Sequence, residues 1–359
     1  MRIPWWHTEL GANERESLLS AFDNKGFSMG RYTAELEKRF CEMLDVPYAV
    51  LTPSGTAALC MAMTAVGVGP GDEVIVPDVG WIATANAAAM LGATVRIVDI
   101  VPDLPLIDAN KVPAVLTQRT KVIVPVHLNG RACNLEVLKK QARDAGAYLI
   151  EDSCKALGSR HSGKYLGTFG DLGCFSLGMV SLVTIGYGGL VVTSDKSHYE
   201  RLLLIRSQGV ASYDEEDYAC KSFNFRVSDL SAAIGLAQIA RVPEKKQHLL
   251  KIYEMYRAGL EGLDYIRQIP VKIADGELPL LCEVRSEKST ELLKYLKQND
   301  VVGLRLHIPL HCADYLKNTE GAFPNADKMT AEGFILPCGP CHPLKNVERC
   351  IELVRSWKG

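Results

Sequence analysis

From about residue 45 to 245 the hydrophobic positions fall into short runs separated by amphipathic stretches. YAVLT (48–52) precedes a helix from Gly55, and DEVIVP (72–77) precedes one through Ile82–Leu91. TVRIVDI (94–100), TKVIVPVHL (120–128), a helix over Leu135–Ala145 and AYLIED (147–152) follow. Alternation of this kind predicts an α/β domain with a largely parallel sheet. CFSLG (174–178) and GGLVVTSD (188–195) lie close together, so one of the two is expected to run antiparallel to the rest. Ligand groups should gather at the carboxyl ends of these strands.

After Val242-Pro243 the texture changes. A charged helix from Glu244 to Leu260 leads into short strands and helices that end near Trp357. The expected division is a large domain over residues 1–245, N-terminal segment included, and a smaller α+β domain over 246–359. No internal repeat or low-complexity tract interrupts either part.

Composition narrows the class. The 359 residues are 47% hydrophobic and 23% charged with a net charge of −2, which gives no electrostatic case for nucleic acid or an anionic membrane. The 11 cysteines are scattered through apolar runs, as free thiols in a reducing compartment would be. MRIPWWHTELG lacks the apolar core of a signal peptide, and no apolar run reaches about 18 residues. The expectation is a cytoplasmic protein. Cys338-Gly339-Pro340-Cys341 has redox-type spacing, but it lies in a proline-rich stretch before a final helix and reads as a loop with two incidental thiols. No second ligand pair has the spacing of a zinc site, so no metal is expected.

Candidate chemistry sits at strand ends. Pro53-Ser54-Gly55-Thr56 follows a strand and opens a helix, which makes it either an N-cap or an anion site built from free N–H groups and two hydroxyls. Trp81, in PDVGWIATAN, is placed to stack on a flat heterocycle or to pack in the core. Glu151-Asp152 ends an apolar strand, where a carboxylate needs a cation or ligand to offset its burial.

Taken with its order along the chain, this set resembles the DegT/DnrJ/EryC1/StrS sugar aminotransferases. The segments that carry the likeness are IPWWHTELG, GFSMGRYTAELEKRF and SGTAALCMAMTAVGVGPGDEVIVPDVGWIATANA. VHLNGRACNLE, EDSCKALGSRHSGKYLGTFGDLGCFS, FNFRVSDLSAAIGLAQI and LRLHIPLH follow in sequence. The resemblance implies the aspartate-aminotransferase (fold type I) architecture and pyridoxal 5'-phosphate or pyridoxamine 5'-phosphate as cofactor. It implies a phosphate held by Ser54, Gly55, Thr56 and Ser176, a ring stacked on Trp81 and its nitrogen paired with Asp152. Asn224 would reach the phosphate of a neighbouring subunit's cofactor, making a homodimer with shared sites. His307 and His311 would face the sugar. The implied reaction moves an amino group from glutamate to a nucleotide-linked keto-sugar.

Two positions depart from the family pattern. GMVSLVTIGYGG looks like the family's GMxKLxTxGxGG form, yet Ser181 stands where the lysine that forms the Schiff base belongs. No lysine occurs between Lys164 and Lys196, so a shift of register cannot restore it. A serine hydroxyl forms no Schiff base and is a poor proton-transfer group near neutrality, so the cofactor is expected to be bound non-covalently. The second departure is Lys155, in EDSCKALG, where many members have glutamine or histidine. It would charge-stabilise the cofactor's phenolic oxygen, stand in for the missing amine, or simply face solvent. Three readings stay open: an aminotransferase with its lysine replaced, a pyridoxamine-phosphate-dependent sugar dehydratase-like enzyme, and a non-catalytic cofactor- or sugar-binding homologue.

Overall fold

A computed structural model of the chain describes residues 2–212, 217–317 and 319–359. Two helices, α1 (Ala12–Asp23) and α2 (Arg31–Leu44), precede the first strand. In α2 the residues Leu36, Phe40 and Leu44 recur every fourth position, so one stripe is buried. The free N–H groups at its start are satisfied from afar: Asp229 accepts from the backbone of Gly30, Tyr32 and Thr33. A carboxylate suits the positive end of a helix dipole.

The central sheet has seven strands: β1 (Tyr48–Thr52), β2 (Glu73–Pro77), β3 (Thr94–Val98), β4 (Thr120–Ile123), β5 (Tyr148–Asp152), β6 (Leu172–Ser176) and β7 (Gly189–Thr193). Their spatial order is β1-β7-β6-β5-β4-β2-β3. β7 is antiparallel to both neighbours and the other pairs are parallel, as the short β6–β7 connection requires. All five residues of β2 are buried, because helices cover both faces. Those helices include α3 (Gly55–Ala65), α4 (Ala83–Met90), α5 (Leu135–Asp144), α6 (Lys196–Arg206) and α7 (Asp229–Ala240). The run expected as a strand to residue 128 leaves the ladder after Ile123. Pro125 has no N–H to donate, and beyond it Val126 makes only an isolated bridge to Asp152.

Helix α8 (Val242–Leu260) starts with Pro243 in its first turn, where a missing N–H costs nothing. It leads to a four-stranded antiparallel sheet of β8 (Arg267–Gln268), β9 (Cys282–Arg285), β10 (Leu304–Arg305) and β11 (Gly333–Leu336), in the order β8-β9-β11-β10. Helices α9 (Ser289–Gln298), α10 (Pro324–Glu332) and α11 (Leu344–Ser356) complete this part. The N-terminal residues also hydrogen bond to this part: Val302 donates to Ile3, and Cys338 to Trp5. The Trp6 indole donates to the carbonyl of Met179 at 2.9 Å, pinning the loop between β6 and β7. Cys338 and Cys341 lie in the loop before α11, and every cysteine among the described residues is a free thiol. Among the described residues no helix is long and apolar enough to cross a membrane.

Candidate active site

Side chains alternate along a strand, so the two carboxylates that close β5 part company. Glu151 is fully buried on one side, where His127 Nε2 approaches it at 2.9 Å. The N–H groups of Gly167, Phe169 and Gly170 also donate to it. Burial pushes its pKa up, but His127 and the backbone donors prevail and hold it below the ordinary glutamate value. The Cys133 N–H donates to His127 Nδ1, which fixes the ring proton on Nε2, toward Glu151. Glu151 is thereby spent on structure. It holds the 167–170 turn against β5.

Asp152 is left to face the site. It is 5% exposed, accepts from the Thr84 hydroxyl at 2.6 Å and from the Cys154 N–H at 3.1 Å, and has no cationic side chain among these partners. Thr84 is in the first turn of α4, three residues after Trp81. Trp81 is 59% exposed, and His307 meets its ring edge-on with centroids 5.1 Å apart. Burial lowers the His307 pKa, so the imidazole is neutral near pH 7.

Helix α3 brings the third edge. Ser54 is its N-cap, accepting from the Ala57 N–H at 3.0 Å, so the capping reading is correct. The cap leaves the first-turn N–H groups of Gly55 and Thr56 without carbonyl partners four residues back. A Cβ at Gly55 would lie 2.9 Å from Cys154 Sγ and 3.1 Å from Ser176 Cβ, so only glycine lets the helix start this close to the ends of β5 and β6. Ser176 accepts from the Gly178 N–H at 3.2 Å.

The loop after β6 supplies the last wall. The Lys155 Nζ donates to the carbonyl of Val180 at 2.5 Å, one residue before Ser181. Burial lowers the Lys155 pKa against the opposing pull of Cys154 and Asp152. Ser181 is 1% exposed, and its hydroxyl has no hydrogen-bond partner; the Ser153 hydroxyl is likewise buried and unpaired. The orphaned Ser153 hydroxyl lies on the other side, beside Gly167, whereas the orphaned Ser181 hydroxyl, the Asp152 carboxylate, an open indole and a bare helix N-terminus belong to this site. This set fits a planar, phosphate-bearing heterocycle.

Two of the residues expected at the site have other attachments. His311 Nδ1 pairs with buried Asp78 at 2.6 Å, and its ring stacks on Phe323, so it ties the end of β2 to the C-terminal part. Asn224 is exposed, and its Oδ1 accepts from the Arg226 N–H at 3.2 Å. Thr84 and His127 were missed. Thr84 was within reach of the sequence, one helical turn after the stacking tryptophan. His127 was not, because its partner lies 24 residues away.

The model of the DegT/DnrJ/EryC1/StrS aminotransferase family matches residues 8–355. The chain belongs to that family. It is 31% identical over 340 residues to the GDP-perosamine synthase of Escherichia coli O157:H7, covering 94% of this chain and 93% of that one. It is 30% identical over 358 residues to the dTDP-3-amino-3,4,6-trideoxy-alpha-D-glucose transaminase of Streptomyces venezuelae, covering 98% and 93%. The crystal structure of S. venezuelae DesV with a ketimine intermediate superposes with a TM-score of 0.93 at 29% identity, over 99% of this chain and 98% of that one. The architecture is fold type I, as the sequence implied.

Proposed function

We propose that the protein binds pyridoxal or pyridoxamine 5'-phosphate with no bond to residue 181 and acts on a nucleotide-linked keto-sugar, with glutamate as amino donor. The observation that carries this reading is Asp152, a buried strand-end carboxylate aligned by Thr84 and Cys154, with no cationic side chain hydrogen-bonded to it. When bound, the cofactor supplies an electron sink for carbon–nitrogen bond chemistry. Asp152 would keep its ring nitrogen protonated, and Trp81 would orient the ring. Ser54, Gly55, Thr56 and Ser176 would hold the phosphate, and neutral His307, against Trp81, would face the sugar. Asn224, exposed on its segment, would serve the site of a second copy in a homodimer. The naming of the relatives after GDP- and dTDP-sugars supports the substrate class.

Ser181 itself favours a second reading, a cofactor- or sugar-binding homologue without turnover, over a pyridoxamine-phosphate-dependent dehydratase-like enzyme, for which its hydroxyl is a poor proton-transfer group. The Ser181→Lys variant separates them. Under the first reading, glutamate-dependent amination of GDP- or dTDP-linked keto-sugars rises by roughly a thousandfold over the parent, the scale of a positioned proton-transfer group. A folded, cofactor-loaded Ser181→Lys variant that aminates none of these sugars would sink it.

A further inference from the structure

Two lysines bracket Ser181. Lys155 donates to the carbonyl of Val180 on one side, and Lys245 donates to the carbonyl of Leu182 on the other at 3.0 Å. Their surroundings differ. Lys245 is fully buried and also bonded to Gln238 Oε1, so its ammonium faces two acceptors inside the core. Lys155 is only half-buried and donates to one carbonyl. It sits three residues beyond Asp152, in a turn that the Cys154 N–H closes onto the Asp152 carboxylate. The same turn therefore places the Asp152 carboxylate and the Lys155 amine on the pocket. Burial also favours the neutral, nucleophilic form of this amine.

We propose that Lys155 Nζ, in place of residue 181, is the amine that links covalently to the cofactor's aldehyde form. The neutral nitrogen adds to the aldehyde carbon, a carbon–nitrogen double bond forms, and the carbonyl oxygen leaves as water, with no change of oxidation state. The unpartnered Ser181 hydroxyl marks the space that a lysine side chain at 181 would fill, and Lys155 reaches the backbone at its edge. The inference rests on the cofactor reading above.

The experiment uses the full chain saturated with pyridoxal phosphate, desalted, reduced with borohydride and digested for peptide mapping by mass spectrometry. Borohydride adds hydride to the carbon and a proton to the nitrogen, so a linked cofactor becomes a stable secondary amine. The expected adduct is on Lys155. The Lys155→Arg variant keeps a donor for Val180 but cannot form the link, so it should retain cofactor that desalts away more readily and carry no adduct. Far-ultraviolet circular dichroism checks that this variant is folded. In the Ser181→Lys variant the adduct should move to position 181. Retained cofactor with no reducible link, or a link on Lys245 or any other lysine, overturns the proposal while leaving the cofactor reading intact. Failure to retain any cofactor overturns both.

Discussion

The Thr84 hydroxyl donates to Asp152 Oδ2 at 2.6 Å and so couples the helix behind Trp81 to the acid at the end of β5. In the proposed reading, ring stacking and ring-nitrogen pairing would be aligned by this one hydrogen bond between two elements. A buried hydrogen bond to a charged group contributes about 2 kcal/mol. Thr84→Val should weaken pyridoxal phosphate binding ~30-fold, with Thr84→Ser restoring most of it. Unchanged affinity in a fluorescence titration of Thr84→Val would mean that the Cys154 N–H positions Asp152 alone.

Gly55 offers a steric test of the proposed phosphate edge. An added Cβ meets Cys154 Sγ at 2.9 Å and Ser176 Cβ at 3.1 Å, both inside normal contact. Gly55→Ala should push the start of α3 away and lower cofactor affinity by about tenfold, the scale of 1–2 kcal/mol of overpacking. Cys154→Ala removes the closer clash, so the double variant should recover part of the loss. Additive losses in that cycle would place the two residues out of contact.

Removing the Glu151 side chain tests a structural role. Glu151→Ala strands the His127 Nε2–H and the N–H groups of Gly167, Phe169 and Gly170 in a dry interior. Breaking such a buried cluster costs about 3–5 kcal/mol. The expected result is a large drop in the urea midpoint. A midpoint within error of the parent would show that the 167–170 turn is held by other contacts.

The strands were legible because a sheet covered on both faces writes each strand as an unbroken apolar run, as in EVIVP (73–77). The parting of Glu151 and Asp152 was also open to view, since neighbouring strand residues point to opposite faces. Pairings across long separations were not. His311 meets Asp78 across 233 positions, and Trp6 meets Met179 across 173, with nothing local in either segment to announce its partner. Lys155 carries its lesson between these cases: its type was visible, but its approach to Val180 depends on how two loops fold together.

His342 gives the chain a defined acid sensitivity. It is fully buried, both ring nitrogens lack partners, and His7 packs edge-on against it at 6.2 Å. Burial, aided by repulsion from His7 and His248, pushes its pKa down from 6.5 to about 4. Because the folded pKa is the lower one, the unfolded chain binds more protons between these values, and stability falls as pH drops through that window. Above pH 6.5 both states hold a neutral ring, and the contribution is flat. Near pH 5 the loss amounts to about 2 kcal/mol. His342→Leu removes the titrating group without leaving a hydrogen-bond partner unpaired on the ring nitrogens. Urea unfolding should therefore show the variant gaining on the parent as pH falls from 7 to 5. A difference between the two that stays constant over that range would assign the acid sensitivity to other groups.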